Sequence, residues 1–410
     1  MRIFPRSLRR VLLSLLAVLT VLFAVPSQAT AVPVGVPAPS DDPFYTPPLP
    51  LPSGVPGDVI RQRKVNAYAD PLTLFPMPVN AWQIIYRSTS ATGTANAVSG
   101  TVLVPKTPWL GGGARPLVSY AVGTHGLGDS CAPSYKLRTG TETEIALISQ
   151  ALLAGYAVVL TDYEGLGTPG QHTYAVGQAE GRAVLDAARA AFRVPGTGLS
   201  ANGPVGLFGY SQGGQATTFA AELAPAYAPE LNLVGVATGG VPADLAAVAR
   251  FNDGNVGFTL VLAAAVGYAA AYPDVPFEQI LNDTGRATVP RVEKACTVEL
   301  ATIAPLRRLN DFVTMPDPLA DPRWQARLAE NRAGTRAPTA PVYLYHGTAD
   351  ELIPLAVGRR LRADWCGLGA SVQWQEIPLA EHILGVSVGG PAAMTWLGDR
   401  FAGKPVTSNC

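Results

Sequence analysis

Charged residues are scarce in this chain: aspartate, glutamate, lysine and arginine make up 15% of its 410 residues, and the formal net charge is zero. Because proteins that bind nucleic acids carry an excess of basic residues, we expect no nucleic-acid partner. Apolar residues reach 48%, a share that excludes wholesale disorder. The chain is longer than one average domain, so we expect a single core with an insertion.

Long apolar runs are also missing. The runs from Val11 to Val25 and from Phe258 to Ala271 are both shorter than the roughly 20 residues that span a bilayer. Arginines precede the first run, and the small residues Ala29 and Ala31 follow it, which is the layout of a secretory signal peptide. We therefore predict a secreted protein, cleaved near Ala29 or Ala31, with no transmembrane segment in the mature chain. An uncleaved membrane anchor is the alternative, and association with the cell envelope is left open.

Cysteine is rare, and its four copies are scattered along the chain, as Cys131, Cys296, Cys366 and Cys410. A zinc site needs ligands at short, regular spacing, so we predict neither a metal site nor a cofactor. An even number of cysteines in an exported protein indicates disulfides. Three pairings are possible, and the spacing does not choose among them.

The pattern of predicted elements changes along the chain. Residues 32–57 are rich in proline and are expected to run extended on the domain surface. Residues 81–89 and 97–105 are typical of two strands at an antiparallel sheet edge. Short apolar runs then alternate with helix-like segments, at residues 116–122, 156–162, 204–209, 233–239 and 341–347. This alternation predicts an α/β protein with a mostly parallel sheet flanked by helices.

The last two of these runs lie about a hundred residues apart, far more than a crossover connection needs. We therefore predict an inserted, mainly helical cap or lid at residues 241–338, here called the cap segment. It divides the core into residues 58–240 and 339–410. The apolar run Phe258 to Ala271 is predicted to be a buried cap helix; the alternative is a lid helix that meets lipid or substrate chains.

Glycines surround a single serine in the stretch FGYSQGGQ, residues 208–215. Gly209, Ser211 and Gly213 match G-x-S-x-G between a predicted strand and a predicted helix, which is the nucleophile elbow of α/β-hydrolases. Glycines there avoid collisions across a turn that holds the serine strained and exposed; a purely structural turn is the alternative. We predict Ser211 as the nucleophile and the backbone amide of Gln212 as an oxyanion donor.

A serine nucleophile needs a base, and this fold orders the residues as nucleophile, acid and histidine. Of the two histidines after Ser211, His346 closes a predicted strand and leaves no room for an acid before it. His382 follows the last predicted strand, so we predict it as the base, presented by a loop. Asp350 is the predicted acid that orients it, with Glu351 as the competitor.

A second oxyanion donor should come from a loop after an earlier strand. The glycine-rich stretch at residues 123–135 follows the first of the five apolar runs. Its candidate donors are the backbone amides of His125 and Gly126 or the ring of His125; a glycine-rich turn without a chemical role is the alternative. Glu164 is a candidate supporting group, and His172 is expected to be a surface or packing residue.

Seven motifs follow one another along the chain: DDPFYTPP, SYAV with CAPSY, DYEG, GYSQGG, YAPELNLVG, TADELIP and PLAEH. In this order they resemble the secretory lipase family of the yeast lipase A type, within the α/β-hydrolase superfamily, from about Asp41 to the C-terminus. The resemblance implies Ser211 as nucleophile, Asp350 as acid and His382 as base. It also implies a helical cap over an acyl-binding tunnel.

The same resemblance implies the disulfides Cys131–Cys296 and Cys366–Cys410. The sequence departs from the family at one position. Where the type enzyme carries an acidic side chain in the oxyanion loop, this chain carries His125, so a side-chain role is not carried over, whereas donation by the backbone amide is.

From these residues and this resemblance we expect a secreted serine hydrolase that cleaves acylglycerols or related lipid esters through an acyl-enzyme. Its cap is expected to make transient contact with a lipid surface. The alternatives are an esterase or acyltransferase acting on short or bulky non-lipid acyl groups, and a non-catalytic protein that keeps the fold to bind lipid or a partner.

Overall fold

The structure is a computed structural model that describes residues 35–410. The predicted signal peptide, residues 1–31, lies outside the described residues. All elements below belong to one unit, residues 37–410. Its strands are β1 (Val59–Val65), β2 (Val79–Thr89), β3 (Ala95–Pro105), β4 (Leu117–Ala121), β5 (Ala157–Thr161), β6 (Val205–Tyr210), β7 (Leu233–Gly239), β8 (Val342–Gly347) and β9 (Val372–Ile377).

These strands form one sheet in the order β1-β2-β3-β5-β4-β6-β7-β8-β9. The pairs β1–β2, β2–β3 and β3–β5 are antiparallel, and the remaining neighbours are parallel. Strands β4, β5, β6 and β8 are buried along their whole length, as expected of strands covered on both faces. The predicted α/β class with an antiparallel edge is therefore confirmed.

The sheet edge holds a strand that the sequence patterns above do not predict. Strand β1 reads VIRQRKV and is only partly buried, so no continuous apolar run marks it. Charged side chains are common on edge strands, because they discourage pairing with another chain. The basic residues interrupt the apolar pattern that would have predicted β1, and they are typical of a strand at the sheet edge.

Some helices pack around the sheet, and others lie in the predicted cap segment. They are α1 (Pro133–Thr139), α2 (Ile145–Leu153), α3 (Gly177–Arg193), α4 (Gln212–Tyr227), α5 (Leu245–Asn252), α6 (Phe258–Ala271), α7 (Phe277–Ile280), α8 (Asp283–Val292), α9 (Thr297–Ile303), α10 (Pro322–Glu330), α11 (Leu355–Gly367) and α12 (His382–Phe401). Helices α3 and α4 pack against each other, and α12 packs against α2 and strands β6 to β8. None of the helices within residues 35–410 is both long and apolar enough to cross a membrane.

The predicted cap segment contains helices α5 to α10 and two short 3-10 helices, Leu309–Asp311 and Pro318–Ala320. The predicted helix over residues 258–271 is α6, with the same bounds. Most buried apolar residues of these helices belong to a second apolar cluster, which also includes Leu127 and residues between 174 and 179 and is distinct from the cluster around the sheet. The boundaries of the cap segment stay a prediction.

Part of the proline-rich arm is not extended. Residues 39–41 and 43–45 form short 3-10 helices, so the expectation of a wholly extended arm is wrong. Tyr45 is buried, and its hydroxyl lies 2.9 Å from the Ser134 hydroxyl. Because this contact reaches helix α1, the arm is anchored to the core rather than laid loosely over it.

Two disulfides tie distant parts of the chain together. Cys131 is joined to Cys296, at the start of α9, over a sequence separation of 165 residues. Cys366, in α11, is joined to Cys410 over a separation of 44 residues. These are the pairings that the resemblance implied. The first joins the glycine-rich loop to the cap segment, and the second encloses the stretch that contains His382.

Candidate active site

Ser211 lies at a sharp turn between β6 and α4. Its backbone angles are φ 59° and ψ −122°, which is a strained conformation for a residue with a side chain. A Cβ atom at Gly209 would collide with the carbonyl oxygen of Gly213, and one at Gly213 would collide with that of Ala121. Both glycines of the motif are therefore required for the chain to turn here.

The structure brings three predicted residues from separate elements into one hydrogen-bonded chain. The hydroxyl of Ser211 lies 2.9 Å from Nε2 of His382, and Nδ1 of His382 lies 2.8 Å from Oδ2 of Asp350. Asp350 is in the loop after β8, and His382 is the first residue of α12. The expectation of a loop around His382 is therefore wrong, since the helix itself presents the imidazole.

Neighbouring acids make different contacts. The side chain of Glu351 accepts a hydrogen bond from the backbone amide of His382, at 2.9 Å. Glu381 caps α12 by accepting from the amides of Ile383 and Leu384. Of these three acids, only Asp350 contacts the imidazole. The competitor Glu351 therefore holds the helix start and not the ring.

Asp350 is buried, and burial by itself would raise the pKa of its carboxyl group. Its hydrogen bond and charge interaction with His382, with a hydrogen bond from the amide of Ile353, outweigh burial and lower the pKa below its ordinary value. Asp350 is therefore ionised at neutral pH, as a group that orients an imidazole must be.

Two other histidines, His172 before Ser211 in the sequence and His346 after it, do not contact Ser211. His346 is buried and donates from Nε2 to the carbonyl oxygen of Ile353, at 2.9 Å. His172 is buried and lies 3.1 Å from the side-chain nitrogen of Gln212. His172 is therefore a packing residue and not a surface residue, and it also forms hydrogen bonds. Glu164 is mostly buried, and its backbone oxygen contacts His172 Nδ1 at 2.8 Å.

The glycine-rich loop passes beside the nucleophile: a Cβ atom on Gly123 would lie 3.9 Å from Cβ of Ser211. The amide of Gly123 is already used, because it donates to Glu144 Oε1 at 2.5 Å. Within the described part of the chain, the amides of His125 and Gly126 donate to no other protein group. The amide of Gln212, at the first position of α4, is likewise unpaired there.

The ring of His125 is not available to a substrate. Its Nδ1 lies 3.0 Å from the carbonyl oxygen of Gly123, and its Nε2 lies 2.7 Å from Glu142 Oε1. Burial opposes the charged ring, but the nearby carboxylate of Glu142 outweighs it and raises the pKa of His125 to about 9. Both ring nitrogens are then protonated and both face acceptors. Backbone amides remain the candidate donors in this loop.

Glu142 and Glu144 were not singled out in the sequence; beside the loop, Glu142 is buried and Glu144 is half-buried. Glu142 pairs with His125, while Glu144 accepts from the amide of Gly123 and the hydroxyl of Tyr120. The signal that could have found them is the repeat TETE, two acids at alternate positions shortly after the loop. Local spacing does not reveal how far each is removed from solvent or which groups it contacts.

An apolar cavity opens beside Ser211 and Gln212 and extends into the cap segment. No charged residue of the described chain lines it. Its walls include, from α5 and α6, the side chains of Leu245, Val248, Leu260, Val261, Ala264, Ala265 and Tyr268. Residues 35–410 contain no cluster of three or more histidine, cysteine, aspartate or glutamate side chains suited to a metal ion.

The chain is similar to known proteins over most of its length. The family model described as "Secretory lipase" matches residues 133–409. A Mycobacterium tuberculosis protein described as a "Probable inactive lipase" is 34% identical, and the match covers 90% of this chain and 84% of that protein. "Lipase 10" of Candida albicans is 31% identical over 96% of this chain and 87% of its own. The structure of Candida antarctica lipase A in its closed state superposes with a TM-score of 0.82 at 28% identity, covering 91% of this chain and 88% of that one.

Proposed function

This chain belongs to the secretory lipase family of α/β-hydrolases and is a carboxylic-ester hydrolase, and from that premise we propose that it cleaves acylglycerols or related lipid esters through an acyl-enzyme on Ser211. The observation that carries the proposal is the hydrogen-bonded chain from the Ser211 hydroxyl through His382 to Asp350. A serine without such a base is a weak nucleophile.

In the proposed reaction the Ser211 oxygen attacks the ester carbonyl carbon while Nε2 of His382 takes the hydroxyl proton. Asp350 holds the ring so that Nδ1 carries a proton, and it stabilises the imidazolium that forms. His382 then gives its proton to the departing alcohol, which leaves Ser211 acylated. Water, activated by the same histidine, releases the acid and restores the serine.

Negative charge develops on the carbonyl oxygen when Ser211 attacks. We propose that the unpaired amide of Gln212 and the unpaired amides of His125 and Gly126 stabilise it. Amides held in place before the reaction need no reorganisation, and removing one such donor costs about 10²- to 10³-fold in turnover in comparable enzymes.

The apolar cavity supports an acyl chain as the group on the carbonyl side. It begins at Ser211 and is lined by uncharged side chains of the cap segment. Burying an alkyl chain there gains about 0.8 kcal/mol for each methylene. We therefore assign the acyl group of a lipid ester to this cavity.

We also propose transient contact between the cap segment and a lipid surface. Phe251, Val256 and Leu306 expose 40%, 47% and 63% of their surface there. Leu306→Ser should slow hydrolysis of an emulsified triacylglycerol and leave hydrolysis of a dissolved ester unchanged. Leu368→Ser, at an exposed leucine outside the cap segment, is the control; equal losses from both variants would overturn the proposal.

Family membership and two disulfides support secretion, because disulfides persist in oxidising compartments. We propose that the signal peptide is removed after Ala29 or Ala31. N-terminal sequencing of the exported protein checks this, and a start far from either position would contradict it.

Hydrolysis of p-nitrophenyl esters from acetate to palmitate tests the proposed function. Ser211→Ala should lower turnover on the order of a millionfold, while Ser387→Ala, an exposed serine of α12, should change it little. Long-chain esters that are cleaved as well as short ones would support the lipase assignment, and activity confined to short chains would make it an esterase. Absence of Ser211-dependent activity would overturn the proposal. The description of one relative as inactive makes this direct test necessary.

A further inference from the structure

A buried polar network surrounds the side chain of Gln212, the residue after the proposed nucleophile. The side-chain nitrogen of Gln212 lies 2.8 Å from Glu180 Oε1 and 3.1 Å from Nε2 of His172. These three residues expose between 0 and 3% of their surface. Neither His172 nor Glu180 has a role in the mechanism proposed above, so the network needs a separate explanation.

The directions of these hydrogen bonds follow from their partners. Nδ1 of His172 lies 2.8 Å from the backbone oxygen of Glu164. A carbonyl oxygen only accepts, so Nδ1 carries the proton. Burial lowers the pKa of His172 to about 4, so the ring is neutral and its Nε2 is an acceptor. Gln212 must therefore donate to it.

Glu180 fixes the second hydrogen of the same amide group. Its Oε1 accepts from Gln212 and also from the backbone amide of Ala175, at 2.9 Å. With an acceptor on each side, only the nitrogen of the Gln212 amide can face the pair, since the reversed orientation would place an oxygen against two acceptors. Both N–H groups of this side chain are thus used, and its orientation is determined.

One other side chain of the first turn of α4 is held: Gln215 donates from its side-chain nitrogen to the backbone oxygen of Ala175, at 3.2 Å. Gly213 and Gly214 follow Gln212, and Ser211 before it is strained, with φ 59°. Because the two glycines carry no side chain, the side chain of Gln212 is the anchor nearest to the backbone amide proposed for the oxyanion. Errors of about 1 Å in such a group cost on the order of a hundredfold in rate.

We propose that Glu180 and His172 are positioning residues, which hold the backbone amide of Gln212 in the oxyanion site by clamping its side chain. This inference rests on the proposed function, because it assigns the clamped amide to the oxyanion of ester hydrolysis. It concerns the side chain of Gln212, whereas the proposed function needs only its backbone.

Gln212→Met tests the clamp, because methionine keeps the length of the side chain and removes both donors. We expect kcat on p-nitrophenyl butyrate to fall about 10- to 100-fold, with KM changed less than about twofold. Affinity for butylboronic acid, which forms a tetrahedral adduct with the serine, should fall by the same factor as kcat/KM, because only the tetrahedral species uses the oxyanion site.

His172→Leu removes one acceptor and should give a smaller loss of the same kind. Glu180→Gln keeps an acceptor oxygen and should retain more activity than Glu180→Ala, which has none. The matched control is Thr218→Val, a buried residue on the same helix whose hydroxyl lies 3.3 Å from that of Thr238. It should lower the melting temperature without changing kcat per titrated active site.

The outcomes separate the clamp from the proposed function. If the wild type shows Ser211-dependent activity and folded Gln212→Met keeps the same activity, the clamp is overturned but the proposed function is not. So would a loss that appears equally in Thr218→Val, since that is a stability effect. A wild-type chain without Ser211-dependent hydrolysis would overturn the proposed function. If Gln212→Met does not fold, the contrast between Glu180→Gln and Glu180→Ala decides, and equal kcat in those two variants would overturn the clamp.

Discussion

The two sides of Ser211 are built in different ways. On one side, Asp350 follows strand β8 and His382 follows strand β9, and both are connected to the serine by one chain of hydrogen bonds. On the other side, the loop of residues 123–131 is held by the buried ion pair of His125 with Glu142, by the half-buried Glu144 and by a disulfide to the cap segment. The charged groups of the first side take part in the proposed reaction, whereas those of the second side hold the conformation of the loop. Substitutions on the first side should therefore cost activity, and those on the second should cost stability as well.

The largest expected effect is on the first side. Asp350→Asn keeps the size of the side chain but favours the wrong tautomer of His382, and should lower kcat about 10⁴-fold. Glu351→Gln is the matched control, since Glu351 contacts only the backbone of His382, and should lose far less. Steady-state kinetics on one ester checks both, and similar losses would show that the two acids share the role.

The next largest effect is expected from loss of the disulfides, which should differ between the two sides in both stability and activity. Replacing Cys131 and Cys296 by serine removes a crosslink over 165 residues, and should cost toward the upper end of the roughly 2 to 4 kcal/mol typical of disulfides. Replacing Cys366 and Cys410 opens a shorter loop, of 44 residues, and should cost less. Only the first pair should also lower kcat, because it ends in the loop beside Ser211. Urea unfolding and kinetics would show this, and a reversed order would contradict the comparison.

Glu142→Gln should destabilise the loop. The variant leaves His125 buried without its carboxylate, and breaking a buried pair costs about 3 kcal/mol or more. The control is Asp399→Asn, which breaks the solvent-exposed pair with Lys404 and should change stability little. Comparable losses in urea unfolding would mean that the buried pair contributes no more than a surface pair.

The smallest effect is a dependence of stability on pH. The folded protein raises the pKa of His125 to about 9, above its ordinary value of 6.5. Its contribution is therefore fully present below about pH 6.5 and is lost as pH rises toward 9. The difference in unfolding free energy between wild type and Glu142→Gln should shrink over this range. A constant difference would show that His125 does not titrate there.

Much of the fold was predictable because its signals are local. The glycines around Ser211, the apolar runs of β4 to β8 and the bounds of α6 each depend on neighbours in the sequence. Strand β1 was not predictable in the same way, since VIRQRKV has four consecutive polar residues, three of them basic, and becomes a strand only by pairing with β2. The short 3-10 helices of the arm also depend on contacts with the core, such as that of Tyr45.

For the candidate site, the sequence by itself determined the candidates Ser211, Asp350 and His382 and their order, because this fold requires that order and few histidines compete, but it left Glu351 as a competitor for Asp350. Only the tertiary structure decided that the His125 ring is bound to Glu142, that Glu351 accepts from a backbone amide, and that the Gln212 side chain is hydrogen-bonded to His172 and Glu180. The physical reason is burial. A side chain's charge and hydrogen-bond partners depend on which segments exclude water around it, and those segments are far apart in the chain.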